Sequence, residues 1–342
     1  MIKPKSEGII LEKTQNDFEQ KGVFNPGCIK AGEITHMFYR AVNKDGVSSI
    51  GYCQLLGNKV IQRLDKPVLF PEYDFEKKGV EDPRIVFLEG TYFLFYTAYD
   101  GKSATVAYAT SHDLKDFSKK GLLFPKISYD EAEDIFRNSP NIGERYIHFE
   151  KMYRYWIDDK VLLWEKDAFL FPKKIKGKFA LMHRILPGIQ ICYFDNFSEL
   201  DINFWKNYLA NLGKYIVLDP TCPIERGYIG GGCPPIETSD GWLLIYHSVE
   251  EIHWQKTYRA SVALLDKDNP QKVLSHPCEP LLSPTEEWER KGNVDNVVFP
   301  TGAVVDNEIL YIYYGAADTC IGAKSVNLND LLSELKTNKN NL

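Results

Sequence analysis

The sequence predicts an all-β fold, a five-bladed β-propeller with short helical insertions and a C-terminal helix. Three observations lead there. One hairpin pattern recurs five times along the 342 residues. Aromatic content is 13%, with 20 Tyr, 19 Phe and 6 Trp, which favours strands and also suits a surface that stacks on sugar rings. And a polar residue closes a strand in every repeat.

The repeats are THMFYRAVNKDGVSSIGYCQL (35–55), TYFLFYTAYDGKSATVAYATSHDL (91–114) and KFALMHRILPGIQICYFDNF (178–197), followed by GWLLIYHSVEEIHWQKTYRASVALLD (241–266) and EILYIYYGAADTCIGAKSV (308–326). Each alternates apolar and polar residues with the period of a strand. A lone hairpin cannot bury both of its faces, whereas five small sheets set radially can. A β-sandwich is the competing architecture. The strand ends read Arg40, Tyr99-Asp100, His183-Arg184, His247 and Asp318, and a propeller would bring them to one central pocket.

Two segments interrupt the pattern. Residues 127–160 are polar and partly helix-compatible. Residues 198–216 carry apolar residues at helical spacing, with Ser198 as N-cap and Gly213 as C-cap. LNDLLSELK (327–335) reads as an amphipathic helix before a disordered tail. No Ser/Gly/Pro linker divides the chain, so 1–342 reads as one domain.

The net charge is −6 with no basic run, which argues against a nucleic-acid partner. No apolar stretch approaches a membrane span, and the N-terminus lacks the apolar segment of a signal peptide. The expected location is the cytoplasm, or the periplasm if a leader has been removed. A homo-oligomer stays open. The seven cysteines are scattered and odd in number with no CxxC pair, which argues against a disulfide framework and a zinc site, and most are expected as buried thiols. His36, His112, His148, His253 and His276 share no metal spacing, and there is no P-loop or dinucleotide fingerprint. No metal and no cofactor are expected.

Glu81-Asp82-Pro83-Arg84 opens a strand. Pro83 biases Asp82 toward an extended backbone. Two adjacent carboxylates repel, so one should be raised in pKa, as a general acid requires. A surface turn with a local ion pair would explain the same four residues. Gly230-Gly231-Gly232 offers a backbone that a ligand can approach closely. Lys166-Asp167 and His183-Arg184 flank another hairpin, and Asn25 stands at a turn before a strand.

In order, the motifs EDPRI, LFPKKIKGKFALMHR, GGGCPPIETSDGWLLIYH and YYGAADT resemble glycoside hydrolase family 130, the β-mannoside phosphorylases and β-1,2-mannosidases. The resemblance runs from Asn25 to Gly322 and implies a five-bladed propeller. It implies that Asp82 is the catalytic acid, protonating the glycosidic oxygen through the sugar's 3-hydroxyl. It assigns Asn25, Arg40, Glu81, Arg84 and Asp318 to the mannose, and Lys166, His183, Arg184, Tyr228 and His247 to phosphate or the leaving sugar, with Asp167 beside them.

The sequence departs from the phosphorylase pattern at three positions, one of them Lys166, where the phosphorylases often carry Arg before the aspartate of the LFP segment. Tyr228 stands where a basic residue usually precedes IGxG, and Glu237 stands where Lys or Arg usually follows PPI. A carboxylate ~6 Å from phosphate would repel it by roughly 3 kcal/mol at an effective dielectric of about 20. The expected activity is therefore an inverting hydrolase of β-mannosides, β-1,2-linked ones foremost, with Glu225 as base and Glu237 or Glu251 as alternatives. Glu225 reads equally as a loop partner of Arg226. A β-mannoside phosphorylase, with inorganic phosphate as co-substrate, and a non-catalytic sugar-binding propeller are the other readings.

Overall fold

The computed structural model describes residues 1–140, 142–156 and 161–337. Its strands fall into five groups in chain order. The first is Gly22–Ala31, Ile34–Val42, Ser48–Leu56 and Lys59–Arg63. The second is Gly79–Leu88, Thr91–Tyr99, Ala104–Ser111 and Ser118–Leu122, joined to the first by a single parallel pair, Ser48 with Gly79. Lys166–Leu170, Phe179–Arg184, Ile189–Phe194 and Ile216–Leu218 form the third. The fourth is Tyr228–Gly231, Gly241–Ile252, Gln255–Leu265 and Val273–Ser275, with the short strand Ile236–Thr238 also paired to Gly241–Ile252. The last is Val298–Asp306, Ile309–Ala316 and Cys320–Asn327, completed by the N-terminal strand Lys5–Leu11. Chain start and chain end thus share one sheet.

The five hairpins seen in the sequence are the second and third strands of these groups. The first strands were hidden because they are largely buried on both faces and most are interrupted by a bulge, a glycine or a proline, so they lack a clean period-2 pattern. In the first three groups this strand carries the same two-against-one bulge. Asn25-Pro26 lie opposite Tyr39, Asp82-Pro83 opposite Tyr96, and Asp167-Ala168 opposite His183.

Behind each first strand sits a fully buried glutamate held by the second strand. Tyr39 donates to Glu19 at 2.9 Å, Tyr96 to Glu76 at 3.1 Å, Tyr246 to Glu225 at 2.7 Å and Tyr314 to Glu289 at 2.5 Å. In the third group His183 meets Glu165 at 3.1 Å. An outer cation completes most of them: Arg63 on Glu19 at 2.7 Å, Lys119 on Glu76, Lys324 on Glu289 at 2.8 Å. Every one of the five carboxylates is at most 1% exposed. A buried charge persists only when paired and hydrogen-bonded, so these clasps specify how each first strand sits.

The interruptions are helical, as expected. Helix Tyr129–Arg137 is capped by Ser128, and Glu144–Trp156 follows it. Residues 157–160 of that insertion lie outside the described residues. Helix Ile202–Ala210 is capped by Asp201, whose carboxylate accepts from Phe204 N at 2.8 Å, and it ends at Asn211. Ser198 and Gly213 are therefore not its caps; Ser198 belongs to a separate 3-10 turn. The C-terminal helix Leu328–Thr337 buries Leu331, Leu332 and Leu335 in the core, and the rest of the expected tail, 338–342, is outside the described residues. No described helix is long and apolar enough to cross a membrane.

The cysteine expectation is corrected at one pair. Cys222 and Cys278 form a disulfide that closes a 56-residue separation, while the other five cysteines are free and buried. Scattered sequence positions could not reveal two loops that meet in space. Denatured but unreduced protein is expected to titrate five thiols, and reduced protein seven. Reduction is expected to lower stability by roughly 2–4 kcal/mol in a denaturant titration.

Candidate active site

The bulges converge on a cavity of 410 Å³. Asn25, Asp82, Asp167 and Asp318 line it, and all four have left-handed backbones, with φ of 50°, 51°, 57° and 51°. Asn and Asp tolerate that conformation best, which is why these residue types occupy the turns. Asp82 is thus not extended, as Pro83 alone would suggest. The bulge overrides the local preference and aims the carboxylate into the cavity.

Asp82 is held from two sides. The Asn25 amide donates to its Oδ1 at 2.8 Å, and Arg40 reaches the same oxygen at 3.3 Å. Arg40 also donates to Glu81 at 2.6 Å and to Ser48 at 2.9 Å. Glu81 does not line the cavity; it orients Arg40 from behind. Asn25 needs Gly315 opposite it, because a Cβ there would fall 2.0 Å from Asn25 Oδ1.

Arg84 likewise lies beneath the cavity, 1% exposed. It donates to the Asp82 carbonyl at 2.9 Å, the Asp167 carboxylate at 2.8 Å, and the carbonyls of Gly232 and Gly231 at 2.8 and 3.1 Å. The glycine triplet therefore serves internal packing rather than a ligand. A Cβ on Gly230 would lie 2.5 Å from Asp167 Oδ2, and one on Gly232 2.6 Å from the Pro300 carbonyl.

The same cavity is also basic and aromatic. Lys166, Arg184 and Lys256 line it with Tyr228, Tyr258, Trp164 and Phe299. Arg184 pairs with Asp167 at 3.1 Å and lies 5.3 Å from the centre of the Tyr228 ring. Lys256 lies over the same ring at 5.4 Å, and Lys166 over Trp164 at 5.3 Å. The Tyr228 and Tyr258 hydroxyls share a hydrogen bond of 2.6 Å. Lys256 and Tyr258 were missed in the sequence. The signal is the alternation of QKTYRAS, on the strand that follows the one carrying His247.

Several expected residues lie elsewhere. His183 points away, held by Tyr208 at 2.8 Å and by Glu165, because it faces a bulge just as Tyr39 and Tyr96 do. His247 is fully buried against Phe299, with ring centres 4.5 Å apart. Burial pushes its pKa down to about 3, so it is a neutral support rather than an anion-binding cation. Glu225 is the buried glutamate of the fourth group, bonded to Tyr246, to His276 at 3.0 Å and to the amides of Thr221 and Cys222. Burial raises its pKa, but these partners outweigh that and hold it below the usual range. A shielded, fully bonded carboxylate cannot deprotonate water in the cavity. Cys222, Glu225 and His276 lie close enough to share an ion, but the disulfide and these bonds already engage them. Glu237 is on the surface between Lys173 and Lys267, at 3.0 and 3.2 Å. Glu251 faces Lys256 at 3.7 Å. Asp100 caps its own turn through the amides of Lys102 and Ser103.

The electrostatics reverse one expectation. Burial pushes Asp82 up, but Arg40, Lys166, Arg84 and the Asn25 amide together hold it below the usual carboxylate range. Asp167 is driven to about 2, with Arg184 and Arg84 overcoming its burial. The raised carboxyl is Asp318, pushed to about 6 by burial and by the charges of Asp82 and Glu81. The adjacent pair Glu81-Asp82 avoids mutual repulsion because Arg40 stands between them.

A folded pKa above the unfolded value favours the protonated native state. Asp318 thus contributes stability below its ordinary 3.8 that is lost as pH rises through about 6. Asp318→Asn is expected to raise the melting temperature by roughly 2–4 °C at pH 8, with the gain shrinking below pH 6.

The family model for glycoside hydrolase family 130, described as beta-1,4-mannooligosaccharide phosphorylase, matches residues 7–337. A 1,2-beta-oligomannan phosphorylase of Thermoanaerobacter sp. (strain X514) is 33% identical over 94% of this chain and 96% of its own length. A beta-1,2-mannobiose phosphorylase of the same organism is 37% identical over 90% of this chain and 91% of its own. The solved beta-1,2-mannobiose phosphorylase from Listeria innocua, in complex with beta-1,2-mannobiose, superposes with a TM-score of 0.73 over 98% of this chain and all of that one, at 20% identity. The arrangement of strands is that of its relatives, and the chain belongs to glycoside hydrolase family 130, an enzyme family of mannoside phosphorylases and related glycosidases.

Proposed function

We propose that this enzyme is an inverting phosphorylase of β-1,2-linked mannooligosaccharides, and that its five strand groups are the blades of a five-bladed propeller in one domain. The observation that carries the activity is the set of three cations, Lys166, Arg184 and Lys256, that line the same cavity as Asp82. Phosphate carries between one and two negative charges, and desolvating it needs several cations. The cation absent at Tyr228 is replaced by Lys256, two strands away in the same sheet and over the face of that tyrosine. Glu237, the carboxylate that argued against phosphate, is on the surface.

Hydrolysis loses its support at the same time. Glu225 and Glu237 are outside the cavity, and Asp167 is a poor base at about 2 between two arginines. The names of the two Thermoanaerobacter relatives point the same way.

On this reading the mannosyl ring lies among Asn25, Arg40, Asp82 and Asp318. A phosphate oxygen attacks the anomeric carbon from the side opposite the leaving oxygen. The new carbon–oxygen bond forms as the glycosidic bond breaks, and a proton passes from Asp82 through the sugar's 3-hydroxyl to the leaving oxygen. Arg40, Lys166 and Arg84 hold Asp82 below the usual carboxylate range against its burial. Phosphate at Lys166 and Arg184 offsets that positive field, so Asp82 takes up its proton when the co-substrate is bound.

With β-1,2-mannobiose, α-mannose 1-phosphate is expected only when inorganic phosphate is present. Free mannose released at equal rate without phosphate would overturn the phosphorylase reading. Lys256→Ala is expected to raise the KM for phosphate about tenfold or more, the loss of one charged contact, with a smaller effect on kcat. Asp82→Asn is expected to lower kcat by about 10³-fold without loss of fold.

A further inference from the structure

The hairpin that supplies Lys256 and Tyr258 ends in a turn that the chain has built against local preference. Strands Gly241–Ile252 and Gln255–Leu265 pair without a register shift, out to Ile252 opposite Gln255. Two residues, His253 and Trp254, make the connection, with φ of 50° and 65°. A two-residue loop with both φ positive favours Asn-Gly, and a tryptophan at positive φ is a true outlier. Trp254 is also 80% exposed, whereas Trp205 and Trp242 are fully buried. Strain and exposure together, at one large aromatic, are a pattern found where a side chain meets a ligand.

The position identifies the ligand. Lys256 and Tyr258 alternate onto the face that lines the cavity. Trp254 lies in the turn, two residues before Lys256, and so within about 7 Å of it along the backbone. Sugars after the one bound at Asp82 must leave by the cavity mouth, and Lys256, the lining residue next to this turn in the chain, is itself partly exposed. We infer that Trp254 is a stacking platform for a distal mannosyl unit of the substrate, and that it makes the enzyme favour chains longer than the disaccharide. This rests on the β-mannoside reading above, but not on which nucleophile attacks.

The test uses the double variant His253→Asn/Trp254→Gly, which installs the sequence the turn prefers and so protects the fold. Its melting temperature is expected to equal or exceed that of the parent. The ratio of kcat/KM for β-1,2-mannotriose over β-1,2-mannobiose is expected to fall about tenfold, mainly through KM, and Trp254→Phe to restore most of it. An unchanged ratio in the double variant overturns the inference. Mannose and mannose 1-phosphate are counted together, so the ratio is read even if water proves to be the nucleophile. If the parent cleaves neither sugar, the functional reading fails. Calorimetric binding then decides the inference: equal affinity for the two sugars in the parent overturns it, and tighter mannotriose binding lost in the double variant supports it.

Discussion

A buried carboxylate gripped by the strand beside it is the interaction on which the rest of this structure depends. Glu19, Glu76, Glu165, Glu225 and Glu289 repeat it five times, each with a Tyr or His from the second strand of its group. In three groups the gripping residue lies directly opposite the bulge that carries Asn25, Asp82 or Asp167. The clasp and the bulge are thus two sides of one backbone feature. Outside it, a buried carboxylate meets its Tyr or His partner; inside it, a left-handed residue turns a polar side chain toward the cavity. Removing one partner of such a pair leaves an uncompensated buried charge, which makes the arrangement rigid rather than merely stable.

Arg84 extends that rigidity across groups. Its guanidinium joins the carbonyl of Asp82, the carboxylate of Asp167 and the carbonyls of Gly231 and Gly232, so three first strands meet at one side chain. A planar fork of five donors can do this, whereas a lysine ammonium could not. The glycine triplet is the other half of the contact, since side chains there would displace Asp167 and the Pro300 backbone. Preorganisation of this kind holds reacting groups in place before a ligand arrives.

The cavity divides its charges by position. Asp82 and Asp318 share the field of Arg40 yet move in opposite directions, one held ionised and the other pushed to about 6. The difference follows from contacts: Asp82 receives direct bonds from Asn25 and Arg40, whereas burial dominates at Asp318. The lysines in the same lining stand on aromatic faces, Lys166 on Trp164 and Lys256 on Tyr228.

Alternation and punctuation were legible in the residues alone: five hairpins, two helical interruptions, the terminal helix and the stretch Glu81–Arg84. Local patterns suffice for these because side-chain period and backbone preference act over a few residues. Which carboxylate is catalytic and which is structural was not legible. Glu225 and Asp82 look alike in the chain, and only the clasp, made by Tyr246 and His276 from 21 and 51 residues away, separates them. His183 was misread for the same reason, since a bulge on the neighbouring strand reverses the face on which it lies. Lys256 takes over from a missing cation at Tyr228, and Cys222 finds Cys278, through contacts between strands and loops distant in sequence. Charge and bonding in a buried site depend on what arrives from elsewhere in the fold, and that is a property of the folded molecule.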